Sequence, residues 1–90
     1  MLLSGEIIFG EFDGNANEFS IQKVKHLRTQ TTINERQLKS LYHYLKKHQD
    51  DTEGHVITLY DQLPIRLSRE EINLLVDDLE KVQEFYLDTF

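Results

Sequence analysis

Apolar and polar residues alternate along the first thirty positions of the chain, as they do in half-buried β-strands. Ile7 and Phe9 alternate with polar or small neighbours, and a second alternating segment begins at Phe19. Between the two segments, residues 13–15 read Asp-Gly-Asn, which favours a turn. The pattern predicts a β-hairpin over residues 2–30.

The next segment changes to the spacing of an amphipathic helix. Asn34 can accept a hydrogen bond from the backbone three residues on, and Gln37 occupies the reciprocal position of a capping box. Apolar residues then recur every three or four positions, at Leu38, Leu41, Tyr42 and Leu45. We therefore predict a helix over residues 34–49.

The second half of the chain repeats this plan. Residues 55–67 contain two short β-rich runs and predict a second hairpin, in which Pro64 marks a sheet edge or a strand start because it has no N–H. Ser68 and Glu71 form another capping box and open a helix predicted over residues 68–88. Its apolar stripe consists of Ile72, Leu75, Val76, Leu79, Val82 and Tyr86.

Together these elements predict an α+β fold of order ββαββα. We expect a four-stranded, mainly antiparallel sheet with both helices packed on one face. The caps and stripes of the two helices correspond at an offset of 34 residues, although the strands before them do not. Ninety residues are enough for one modest core, so a single domain over residues 1–90 is expected.

Composition narrows the class of protein. The chain contains no cysteine, which excludes disulfides and thiolate ligands and favours a reducing compartment, so we expect a cytoplasmic location. The longest apolar runs fall far short of the ~20 residues that span a bilayer, and no membrane partner is expected.

No motif indicates an enzyme. None of the four serines lies in a nucleophile motif, and the four glycines are scattered, which argues against a phosphate-binding loop. His43, His48 and His55, with Glu53 nearby, are the candidate metal ligands, but His43 and His48 are five residues apart and point to different faces of a helix. We therefore expect solvent-exposed histidines, no metal, no cofactor, no small-molecule ligand and no catalytic residues.

Two apolar residues of the second helix, Leu74 and Phe85, fall outside its core stripe. With the acids around them they resemble an interaction surface that has a charged rim. The resulting hypothesis is a protein-interaction module, an adaptor, inhibitor or regulator that binds another protein or forms a homodimer. The predicted interaction residues are Leu74, Asp77, Asp78, Glu84, Phe85, Tyr86 and Phe90.

The alternative hypothesis is a regulator that binds nucleic acid. The net charge is −6, but residues 23–48 carry seven basic side chains against one acid. Lysines and arginines clustered in this way can contact phosphates, whereas an ordinary solvated surface has the same composition. The predicted contact residues are Lys23, Lys25, Arg28, Arg36, Lys39, Lys46 and Lys47.

Overall fold

The structure is a computed structural model that describes residues 1–59 and 64–86. Its elements follow the order β1 (Leu2–Ser4), β2 (Ile8–Asp13), β3 (Glu18–Val24), β4 (Leu27–Ile33), α1 (Glu35–Lys47), β5 (His55–Thr58), β6 (Pro64–Leu67) and α2 (Arg69–Gln83). The predicted α+β class, with a four-stranded antiparallel sheet and two helices, is confirmed. The sheet has the order β1-β2-β3-β4, and β5 and β6 pair as a separate antiparallel sheet.

All four strands of the larger sheet precede α1, because each long strand of the predicted first hairpin is divided by a turn. The first turn lies at residues 5–7, where the Gly5 N–H donates to the Ile8 carbonyl at 2.8 Å. The second lies between β3 and β4, where Lys25 adopts a φ of 58°. The predicted turn after Asp13 is present, and its carboxylate accepts hydrogen bonds from the backbone of residues 15 and 16.

Both helices begin at the predicted capping boxes. The Asn34 side chain accepts from the Gln37 N–H at 2.8 Å, and the Gln37 side chain accepts from the Asn34 N–H at 2.9 Å. Ser68 and Glu71 make the same reciprocal pair in α2. The hydrogen bond from the Ser68 N–H lowers the pKa of Glu71, because it favours the ionised carboxylate.

One hydrophobic core joins the larger sheet, the smaller sheet and both helices. Most of the helix residues in this core belong to the predicted apolar stripes. The sheet residues in the core lie on the buried face of β2, β3 and β4. The two helices run antiparallel. At one end, the Tyr86 hydroxyl after α2 donates to the Ile33 carbonyl before α1 at 2.7 Å. At the other end, Arg69 lies 3.8 Å from Asp50. Among the described residues, neither helix is long and apolar enough to cross a membrane.

Candidate functional site

The interaction surface predicted on α2 does not form as expected, because two of its residues are buried. Tyr86 packs edge-on against the Phe12 ring at 5.1 Å between ring centres. Asp78, predicted as part of the polar rim, has 0% of its surface exposed. These two residues belong to the interior, which corrects the prediction for them.

Asp78 can be buried because backbone N–H groups at the turn between β1 and β2 form hydrogen bonds with its carboxylate. The N–H groups of Glu6, Ile7 and Ile8 donate to its two carboxylate oxygens at 2.8, 2.8 and 3.0 Å. Gly5 is required beside it, since a Cβ there would overlap the carboxylate. Asp78 therefore fastens α2 to the amino-terminal turn, across more than seventy residues of sequence.

Phe85 also differs from its predicted position opposite the core. Helix α2 ends at Gln83, five residues before its predicted end, so the helical geometry does not continue to Phe85. The Phe85 ring is half-buried and lies 5.7 Å from the Phe12 ring and 6.4 Å from the Phe19 ring, between ring centres. Phe90 lies outside the described residues.

What remains of the predicted α2 surface is acidic. Asp77 and Glu84 are exposed, and together with Glu6 and Glu80 they surround the half-buried Leu74. The Tyr42 hydroxyl of α1 donates to the Glu80 carboxylate at 2.6 Å, and this hydrogen bond raises the pKa of Tyr42. Among the residues that line this surface, Leu74 is apolar and the others are four acids and Lys81, so its lining is mostly charged.

The basic residues predicted for nucleic-acid binding are divided among three places. Lys23 and Arg28 pair across β3 and β4 on the sheet face that points away from the core. Lys25 lies 3.0 Å from the Glu71 carboxylate. The remaining four are exposed on α1, where Lys39 pairs with Glu35 at 3.6 Å; they are Arg36, Lys39, Lys46 and Lys47. Two of the seven, Lys25 and Lys39, are thus paired with acidic side chains, and the set is divided between the sheet and α1.

A groove between α1 and β5 is lined mainly by apolar side chains. It has a volume of about 390 Å³, and Ser40, Leu41 and Tyr44 of α1 form one wall while residues 56–59 form the other. Tyr44 is 41% exposed and Val56 is 47% exposed, although both are large apolar side chains. Leu41 and the side chains of residues 57 and 59 close the bottom, where the groove meets the core.

The edge of β5 along this groove has unused backbone hydrogen-bonding groups. In an antiparallel pair, alternate residue pairs exchange hydrogen bonds and the others turn their N–H and C=O outward. Thr58 faces Pro64, which has no N–H, and Val56 faces Arg66, whose carbonyl accepts from the Lys25 side chain at 3.1 Å. These two pairs are therefore the ones that do not exchange hydrogen bonds.

It follows that Val56 and Thr58 direct their N–H and C=O groups away from β6, to the outer edge of β5. No backbone hydrogen bond from another described element reaches them. The outer edge of β6 differs, because Lys25 occupies part of it. An apolar groove and an open strand edge thus coincide on one side of the molecule.

A second cluster lies where α1 ends and β5 begins. His48, Asp51 and His55 bring two imidazoles and a carboxylate together, with one potential ligand atom of each lying within 4.8 Å of the others. His48 Nδ1 is 2.8 Å and His55 Nδ1 is 3.9 Å from Asp51 Oδ2. The Tyr44 hydroxyl shares a short hydrogen bond with His55 Nε2. His43 points elsewhere, with its ring against Tyr42, and Glu53 is exposed outside the cluster.

Sequence reasoning named His48, His55 and Pro64 but did not locate either feature, for different reasons. The histidines were compared along a single helix, whereas His55 approaches His48 through a reversal of the chain at Gly54. The alternation of residues 55–67 indicated a hairpin, but the hydrogen-bonding direction of β5 follows from Pro64 only once the register is known. Pro64 was therefore the one signal in the sequence that could have located the open edge.

Comparison with known proteins adds no identification, because the chain matches no protein family, no curated protein and no solved structure.

Proposed function

We propose that this protein is a protein-interaction module that binds an extended segment of another protein as an added strand on β5. The observation that carries the proposal is the open edge of β5, where Val56 and Thr58 point their backbone groups into an apolar groove. Exposed strand edges that lie beside a groove are a recurrent way to bind extended peptides.

The added strand would gain affinity from both walls of the groove. Its backbone would exchange hydrogen bonds with Val56 and Thr58, the pairing that an open edge supports without regard to sequence. Alternate side chains would point toward Leu41 and Tyr44, which selects segments with apolar residues at every second position. The four residues of β5 extend over ~13 Å, so a partner segment of four to six residues is sufficient.

A partner segment fits this groove better than a second copy of the chain. Helix α1 forms the wall opposite the strand edge and limits how much of an incoming molecule the groove can accept. A second copy could present its own β5 edge only together with its own α1, and the two helices would compete for the same space. The occupant we propose is therefore an extended, apolar segment of a different protein.

Peptides selected from a random displayed library against the purified protein provide the test. We expect the selected sequences to share apolar residues at alternate positions and to shift the amide NMR signals of Val56 and Thr58. Thr58→Pro removes an outward N–H without breaking the ladder to β6, and it should weaken peptide binding about 10-fold or more.

Two control variants separate edge binding from other effects. Thr58→Val keeps the N–H and should bind the peptides normally, and Arg66→Pro places a proline on the opposite edge of the hairpin and should do the same. Equal binding by Thr58→Pro and the controls would contradict strand addition at β5. A wild-type dimer that Thr58→Pro converts to a monomer would instead identify a second copy as the occupant and overturn the proposal of a separate partner.

A further inference from the structure

We infer that His48, Asp51 and His55 form a binding site for a divalent transition metal, with Zn²⁺ as its representative ion. This inference does not depend on the proposed peptide groove. It rests on a convergence of three side chains that the spacing of the histidines in sequence does not suggest.

The fold builds the site by reversing the chain between α1 and β5. His48 caps the end of α1, and the Asp51 N–H donates to its carbonyl at 3.2 Å. Gly54 then adopts a φ of 78° and donates to the Asp51 carbonyl at 3.2 Å. A side chain at Gly54 would overlap the Leu67 carbonyl, so only glycine allows this return. His55 follows directly and is thereby placed beside His48.

The ligand set suits a metal ion that is intermediate between hard and soft and therefore binds both nitrogen and oxygen. Two neutral imidazoles and one carboxylate are a recurrent zinc ligand set, which leaves a fourth position for water or another ligand. Tetrahedral zinc with bonds of about 2.0–2.1 Å places its ligand atoms ~3.3 Å apart. The two nitrogen-to-carboxylate distances here, 2.8 and 3.9 Å, lie on either side of that value. Binding therefore requires shifts of less than ~1 Å in these distances.

Tyr44 supplies the outer support that metal-binding histidines usually have. Its hydroxyl shares a hydrogen bond with His55 Nε2, the ring nitrogen remote from Asp51. When Nδ1 binds a metal, a neutral imidazole carries its hydrogen on Nε2, which then donates to the Tyr44 oxygen. This contact fixes the ring and the tautomer, so Tyr44 is a positioning residue for the site.

One rearrangement accompanies binding. The His48 and His55 rings are stacked, with centres 4.1 Å apart and planes inclined by 13°. The lone pairs of stacked rings lie in two separate, nearly parallel planes, so at least one ring must rotate before both Nδ1 lone pairs can point to one ion. Their side chains are 30% and 29% exposed, which leaves room for this rotation.

Titration of the untagged protein with Zn²⁺ by calorimetry tests the site. We expect one ion per chain, and saturation should raise the thermal unfolding temperature because the folded chain alone presents the three ligands together. His48→Gln, Asp51→Asn and His55→Gln should each abolish this binding. Tyr44→Phe should weaken it about 10-fold, because outer-shell partners typically contribute that much. In the NMR spectrum, Zn²⁺ should shift the ring signals of His48 and His55.

His43→Gln and His26→Gln are the matched controls, since both histidines are outside the cluster. They should retain the wild-type affinity and stoichiometry. Absence of any binding to the wild-type protein would overturn the inference, as would an equal loss in the controls and in His55→Gln. Thr58→Pro leaves the three ligands intact, so the site should bind Zn²⁺ in that variant even if peptide binding fails.

Discussion

Asp78 shows how one residue can have a role that local pattern does not reveal. It follows another aspartate on α2, and the pair resembles an ordinary solvated helix face in sequence. In the structure Asp77 is exposed and Asp78 is fully buried, because three N–H groups of the turn at residues 6–8 face Asp78 alone. Those donors lie about seventy residues away, so no window of local sequence contains the information.

Asp78→Asn should lower the free energy of unfolding by about 2 kcal/mol. The amide keeps the shape of the side chain, but it removes the charge and replaces one accepting oxygen with a donor that faces other donors. Denaturant unfolding followed by circular dichroism measures the change. Asp77→Asn is the matched control, and it should change stability by no more than about 0.5 kcal/mol. Equal effects of the two substitutions would mean that the buried hydrogen bonds of Asp78 do not contribute to the free energy of unfolding.

Tyr86 makes stability depend on alkaline pH. Burial raises its pKa well above the ordinary value of 10.0, because the ionised phenol is poorly solvated in the core. Between pH 10 and the raised folded-state pKa, the unfolded chain loses this proton while the folded chain keeps it. The stability that Tyr86 contributes is therefore fully present below pH 10. It falls as the pH rises above 10, by at most about 1.4 kcal/mol per pH unit.

Tyr86→Phe should flatten this alkaline decline, although it also removes the hydrogen bond to the Ile33 carbonyl and so costs about 1 kcal/mol at neutral pH. Urea unfolding of both proteins between pH 8 and pH 11 measures the two slopes. Parallel slopes would show that Tyr86 does not titrate differently in the folded state.

At the scale of elements, local signals predicted the helix starts and missed the strand breaks. Both capping boxes are present at the predicted residues, because a cap requires only side chains three positions apart. The turn at Lys25 has no glycine, proline or asparagine, and the alternation of residues appears continuous through it. The turn at residues 5–7 depends on Asp78, and the early end of α2 changes the direction of Phe85.

Strand β5 allows a test of its hydrogen-bonding direction without any partner. If the backbone N–H groups of Val56 and Thr58 point away from β6, they should exchange with solvent much faster than the N–H of Ile57, which pairs with Ile65. Hydrogen exchange followed by NMR measures this alternation residue by residue. Protection of Val56 and Thr58, with fast exchange at Ile57, would reverse the assigned direction and remove the basis of strand addition.

At the scale of the whole molecule, both candidate sites join segments that are separate in sequence. The groove needs α1 from the first half of the chain and β5 from the second, and the histidine cluster spans the connection between them. The amphipathic helix and the hairpin were each predictable from periodicity. Their relative placement was not, because it is fixed by packing in a core that both halves share.

The division of that core predicts that neither half folds alone. Among the described residues, nineteen hydrophobic side chains are buried, nine of them before residue 51 and ten after it. The isolated sheet and α1 would expose Phe19, Ile21 and Leu38 to water, and burying such side chains contributes about 1.5–3 kcal/mol each. Fragments 1–50 and 51–90 should therefore lack a cooperative thermal transition when measured separately by circular dichroism.

Mixed together, the two fragments should regain a cooperative transition, because Asp78 and Tyr86 in the second fragment bind backbone groups of the first. Cooperative unfolding of fragment 1–50 by itself would instead show that the four-stranded sheet and α1 form an independent unit, to which β5, β6 and α2 are added.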